Sequence, residues 1–138
     1  MASDDKISTV ALTPVEATDY AESVATYKAH KRPVLSFISG INAGACIALA
    51  FVFYTTTQTG SAGAPWGLTK LVGGLVFSLG VIMVVLLGSE LFTSSTLTAV
   101  ARVGGKITTG QMIRNWIAVY FGNFAGGLII VLFIWFGG

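Results

Sequence analysis

Charge is the scarcest commodity in this chain. Only 10% of its 138 residues are Asp, Glu, Lys or Arg, where an ordinary soluble domain has about a quarter. From Pro33 to Ala101 the only side chains of formal charge are Lys70 and Glu90. A soluble fold of this size leaves a large share of its surface in water and could not hide so much apolar side chain. The bilayer must be the solvent. There is one cysteine, Cys46, so an internal disulfide is excluded, and its place inside an apolar run makes it a small packing residue. One histidine, His30, stands among Lys28, Lys31 and Arg32, without neighbours at metal-ligand spacing. It reads as a solvated or headgroup-facing side chain.

Other absences narrow the function. The net charge of +2 and the lack of a basic patch interleaved with aromatics give no reason to expect nucleic-acid binding. No Walker sequence, dinucleotide fingerprint, nucleophile–base set or metal cluster is present, so neither an enzyme, a catalytic residue, a metal nor a cofactor is expected. Gly73-Gly74 and Gly104-Gly105 serve helix packing or helix ends, not phosphates. The first 25 residues are polar and acidic, without the apolar core of a cleavable signal peptide. The first hydrophobic passage is therefore expected to act as the insertion signal.

What is there is 54% hydrophobic, with a mean hydropathy of +0.78 and 17 glycines. Residues 1–12 are polar and expected to be disordered. Thr13-Pro14 predicts a helix start, a capping hydroxyl followed by proline at the first helical position. Acidic Glu16, Asp19 and Glu22 come early in that segment, and Lys28, Lys31 and Arg32 come at or beyond its end, an order that suits the helix dipole. The first passage runs from about Val34 to Tyr54, roughly the 20 residues a bilayer core requires. Residues 55–66 are expected to form a loop, with Trp66 as an interfacial anchor. The last passage runs from about Ile113 to Phe136, with Asn123 and its neighbouring glycines allowing close approach of another helix.

The middle stretch is the odd one. Leu68 to Val103 spans 36 residues, about 54 Å as helix, against a hydrocarbon core of about 30 Å. It cannot be one straight span. The break is placed at Gly88-Ser89-Glu90, with Ser94 and Ser95 capping a short half-helix that ends near Gly104-Gly105. Irregular backbone at membrane depth is tolerated only inside protein or along a watery cavity, so the broken-helix loop Gly88, Ser89, Glu90, Leu91 and Phe92 points to a solute pathway. Glu90 has a functional reading, as an ionisable group inside a span. It also has a structural one, accepting hydrogen bonds from freed backbone donors or pairing with a neighbouring cation. Thr93 either offers its hydroxyl to a solute or caps the next half-helix. Phe77 and Val81, one turn apart, either gate by excluding water or face lipid and other helices. The half-helix N-terminus would favour an anion at the break.

Lysine and arginine placement sets the orientation. Lys28, Lys31 and Arg32 precede the first passage, and Arg102, Lys106 and Arg114 separate the second from the third, whereas residues 55–66 carry none. The N-terminus is expected to be cytoplasmic. Residues 1–33 read as a cytoplasmic segment with a short helix, and residues 34–138 as a transmembrane channel domain.

The stretch Gly88-Ser89-Glu90-Leu91-Phe92-Thr93-Ser94 resembles the Gly-Ala-Asp/Glu-Leu-Phe-Thr loop of the formate/nitrite transporter family. Residues 47–54, 70–80 and 115–123 agree with it as well, and the resemblance covers roughly residues 28–136. It implies an all-α integral membrane protein, half of an aquaporin-like channel fold built from two inverted three-helix repeats. It also implies a homopentamer of the full-length form in the bacterial inner membrane. Formate or a similar small anion is the implied permeant, with nitrite or hydrosulfide as alternatives. By the same resemblance Phe77 belongs to a constriction, Val81 stands where leucine is usual, and Thr93 faces the pathway. The family's second repeat, with the histidine that faces this threonine and serves in protonating the anion, has no counterpart here, and His30 does not replace it by position. The chain is expected to be the N-terminal half of a channel. A non-transporting membrane scaffold is a different reading, but it predicts unbroken spans and no intramembrane carboxylate.

Overall fold

The computed structural model describes residues 12–137, and the expectation for the first residues lies, up to Ala11, outside them. Six helices follow in order: α1 (Pro14–His30), α2 (Pro33–Gln58), α3 (Trp66–Leu86), α4 (Phe92–Ser95), α5 (Thr98–Val103) and α6 (Thr109–Gly137). Three of them, α2, α3 and α6, are long and apolar enough to cross a membrane. The chain is a multi-pass membrane protein.

The helix ends follow from short polar signals. Thr13 and Glu16 form a capping box, the Thr13 hydroxyl accepting from the Glu16 amide and the Glu16 carboxylate accepting from the Thr13 amide. Thr108 and Gln111 repeat the arrangement before α6, at 3.2 and 2.8 Å. This box starts the last helix at Thr109, four residues ahead of the expected Ile113. Helix α2 also overruns its expected end at Tyr54. The hydroxyls of Thr55, Thr56 and Thr57 donate to the carbonyls of Phe51, Val52 and Tyr54. They hide their polarity against the helix, which therefore continues past the apolar run.

Helix α3 stops where its length demands. Gly88 takes φ +59, its amide donates to Val85 O, and the Ser89 amide donates to Val84 O. That is a Schellman ending, which needs a left-handed residue glycine adopts without penalty. Gly105, at φ +72, closes α5 in the same way, with Lys106 N donating to Ala101 O.

The core seam joins α2 to α6. Gly40 and Gly44 on α2 meet Gly122 and Gly126 on α6, each pair four residues apart and all four buried. A Cβ on Gly40 would stand 3.1 Å from the Gly122 Cα, and one on Gly126 would collide with the Ile41 carbonyl. Lipid offers no hydrophobic force between helices, so close backbone approach across small residues supplies the packing instead. Helix α1 lies across the α5–α6 end, burying Ala25 and Ala29 against Ala101 and Ile107.

The candidate pathway at the broken helix

Between Leu86 and Phe92 the backbone leaves helix, and side chains from three other elements meet its polar groups. Asn123 of α6 is the centre of this arrangement. Its Oδ1 accepts from the Phe92 amide at 2.8 Å, and its Nδ2 donates to Glu90 O and to Gly40 O, both at 2.9 Å. One amide thus meets a carbonyl and an amide at the C-terminal end of the break and ties it to α2. The Glu90 amide donates to Ser39 Oγ at 3.0 Å. The freed backbone donors named here are therefore met by Asn123 and Ser39, not by the Glu90 carboxylate.

That carboxylate has another partner. Glu90 is 3% exposed, and its Oε1 accepts from Lys31 Nζ at 2.7 Å. Its Oε2 lies 3.5 Å from Asn115 Nδ2, which also donates to Lys28 O at 3.2 Å. Lys28 donates to Ser94 Oγ at 2.8 Å. Burial pushes the Lys28 ammonium below its usual range, Glu90 works against that shift, and Lys31 adds to it. The end of α1 is thereby fastened to the break through two lysines. Asn115→Ala would cut only weak contacts here, whereas Asn123→Ala removes three bonds. We expect Asn123→Ala to lower stability by about 3 kcal/mol, since each bond contributes about 1. A denaturant titration in detergent checks this, and a loss no greater than that of Asn115→Ala would refute it.

The half-helix differs from expectation. It is two pieces, α4 and α5, separated at Thr96-Leu97. Ser94 and Ser95 lie inside α4 rather than capping it: Leu91 is the N-cap, and Ser94 Oγ donates back to Leu91 O. Trp116 on α6 explains the interruption in part, because its Nε1 donates to Ser95 O at 3.0 Å and to Thr98 Oγ1 at 2.8 Å. Little dipole accumulates over such short pieces, and the first amide of α4 is already taken by Asn123. The helix-terminus argument for an anion at the break is weakened accordingly.

The other singled-out residues are spread over α1, α3, α4 and the break. Phe77 is half-buried on α3, edge-to-face with Phe51 of α2 at 5.0 Å between ring centres. Val81, one turn on, is exposed. Thr93 is exposed on α4, and its carbonyl accepts from Thr96 Oγ1 at 2.6 Å. Gly88 lies within the break and Phe92 opens α4, edge-to-face with Trp116 and Tyr120. His30 is exposed and its Nδ1 lies 2.8 Å from Thr26 O. Reading the sequence alone passes over Ser39 and Asn115 and gives Lys31 only as a flanking positive charge. The available signal was the pair of asparagines in an otherwise apolar last helix, since an amide at that depth needs partners.

Comparison with known proteins fits this geometry. Residues 15–138 match the family described as Formate/nitrite transporter. The chain is 83% identical over 139 residues to the Formate channel FocA of Haemophilus influenzae, covering 100% of this chain and 49% of that protein. It is 48% identical over 127 residues to the Formate channel FocA of Escherichia coli, covering 92% of this chain and 45% of that protein. The solved structure of a pentameric formate channel with formate bound superposes with a TM-score of 0.67 at 50% identity, over 82% of this chain and 42% of that one. The chain thus spans about half the length of the curated relatives it matches, and its all-helical fold with a broken second span is that of part of an aquaporin-like channel. On the family match and on these identities, this chain belongs to the formate/nitrite transporter family.

Proposed function

We propose that this chain forms part of a membrane pathway for a small monovalent anion, formate, working as a channel and not as an enzyme. The observation that carries this is the polar break at 87–91, tied by Asn123, Ser39 and Lys31, embedded in a chain 50% identical to a channel solved with formate bound. In this reading the site is a homopentameric channel of the bacterial inner membrane, with residues 1–33 on the cytoplasmic side and the transmembrane unit from residue 34 onward. Nitrite and hydrosulfide are the competing permeants.

An anion meets two opposing demands on such a route. It must be attracted at the mouths and must then cross an apolar stretch, where a bare ion is very costly. Phe77 and Val81 supply the apolar stretch, and passage there is passive or coupled to a proton that neutralises the anion. Thr93 supplies a hydroxyl from the end of the break, able to donate to a carboxylate oxygen. The loop Gly88, Ser89, Glu90, Leu91 and Phe92 holds α4 where that hydroxyl faces the route. Glu90 itself is committed to Lys31 and acts as a structural anchor.

The test uses these 138 residues in place of the matching region of the Haemophilus influenzae channel, reconstituted in liposomes. Saturable uptake of labelled formate, with nitrite as a weaker competitor, is expected. Well-inserted graft that carries no formate would sink the reading, and preference for nitrite would reassign the permeant. Thr93→Ala in the same graft should lower flux about fivefold, the equivalent of one lost hydrogen bond, with assembly intact. Unchanged flux removes Thr93 from the route.

A further inference from the structure

Lys70 is the one cation between Pro33 and Ala101, and it sits near the start of α3, at the end away from the break. Roughly 25 Å of helix axis separates it from the Glu90 region. The only ion pair among the described residues joins Lys31 to Glu90, so Lys70 has no carboxylate partner among them. It is nonetheless held in place. Its Nζ donates to Gln58 Oε1 at 2.7 Å and to Tyr54 OH at 3.2 Å, and it stands 5.6 Å from the centre of the Tyr54 ring.

Both acceptors are neutral, and an ammonium has three N–H donors. The charge is therefore positioned but not cancelled, and one donor is left over. Gln58 is fixed in turn, since its Nε2 donates to Thr69 O at 3.2 Å. Gly73, one turn beyond Thr69, makes room for these partners: a Cβ there would stand 2.8 Å from Gln58 Nε2 and from the Tyr54 ring. Beside the ammonium lies a partly polar cavity of about 390 Å³, lined by Gln58, Ser61, Trp66, Thr69 and Lys70 among others. That volume admits a carboxylate with its water.

The position along the helix gives the cluster a direction. Lys70 and Phe77 are seven residues apart, which returns a helix to nearly the same face. Both in fact meet α2, Lys70 at Tyr54 and Gln58, and Phe77 at Phe51. The cation stands at the head of the seam that leads to the apolar Phe77.

We propose that Lys70, held by Gln58 and Tyr54, forms a capture site for a small carboxylate at this end of the α2–α3 hairpin, feeding the route past Phe77. The identity of the carboxylate as formate rests on the proposed function. The site is open to water, so its attraction is screened by salt and acts on capture rather than on tight binding.

The experiment compares wild type, K70M and K70R in the graft-bearing channel. K70M should raise the KM for formate presented from the Lys70 side about tenfold at low ionic strength, the lower range for a focused surface charge, with the maximal rate unchanged. K70R should keep the wild-type KM, and the gap between K70M and wild type should close as salt is added. Unchanged KM in K70M, or an equal loss in K70M and K70R, overturns the proposal, the second outcome marking a purely structural lysine. Line broadening of carbon-13 formate by the detergent-solubilised channel reads the site without transport. Broadening by wild type and K70R that K70M lacks supports capture, and equal broadening by all three refutes it. A wild type that shows Lys70-dependent broadening but no uptake sinks the transport reading and leaves the capture site standing.

Discussion

Removing Glu90 or Lys31 singly is expected to destabilise the protein by about 3–5 kcal/mol, the cost of leaving a buried charge without its partner. The two losses should not be equal. Glu90 is 4% exposed at its side chain and Lys31 is 20% exposed, so Lys31→Met strands the more deeply buried charge. Glu90→Ala leaves a lysine that can reach water or headgroups along its flexible stem, and its loss should fall at the lower end. The double variant Lys31→Met/Glu90→Leu removes both charges together. It should be closer to wild type than Lys31→Met alone, because a buried pair exchanged for apolar groups is often nearly neutral. Melting of wild type, Lys31→Met, Glu90→Leu and the double variant in detergent completes a double-mutant cycle. Strict additivity would show that the 2.7 Å contact carries no coupling and that the fastening of α1 to the break is incidental. Wild-type stability of Glu90→Ala with altered formate flux would move Glu90 from anchor to pathway.

This pair also shows what a linear reading can and cannot reach. The break itself was legible, because a 36-residue apolar run overshoots the bilayer and contains a glycine followed by polar residues at the right depth. The start of α1 was legible too, since Thr13, Pro14 and Glu16 act within one turn. The partner of Glu90 was not. Lys31 lies 59 residues away, and only the return of α3 to the α1 end of α2 brings them together. Asn123 presented the same difficulty. Its glycine neighbours announced close packing, but the sequence does not say that its amide would accept from Phe92 N and donate to Glu90 O at once. Ser94 and Ser95 misled for a local reason. Serine favours a cap where a helix amide is free, and here a side chain on α6 had already supplied the acceptor. The ends of α2 and α6 moved because threonine hydroxyls and the Thr108–Gln111 box extend helix beyond the apolar residues by which spans are recognised. Lys70 was visible as an isolated charge, whereas its two neutral acceptors depend on the α2–α3 pairing.

Gly44→Ala should be about as damaging as loss of the buried pair, although it adds one methyl group. A Cβ at Gly44 would be driven into the Asn123 carbonyl, with its Cα and carbonyl carbon only 2.7 Å away. These are backbone atoms of a long helix, so no side chain can turn aside, and α2 and α6 must separate. Overpacking of this kind costs about 1–3 kcal/mol. The separation also pulls Asn123 away from Gly40 O and from Phe92 N, and those bonds contribute about 1 kcal/mol each. The sum is about 3–5 kcal/mol, with the break loosened as a consequence. Gly126→Ala, which meets Ile41 in the same way from the other side of the seam, should behave alike. Gly74→Ala on α3 is the control: nothing stands within 4 Å of its added Cβ, and alanine suits a helix better than glycine, so its melting should match or slightly exceed wild type. If Gly44→Ala melted like Gly74→Ala, the four-glycine seam would not be what holds the first and last spans together, and Asn123 would have to hold the break without it.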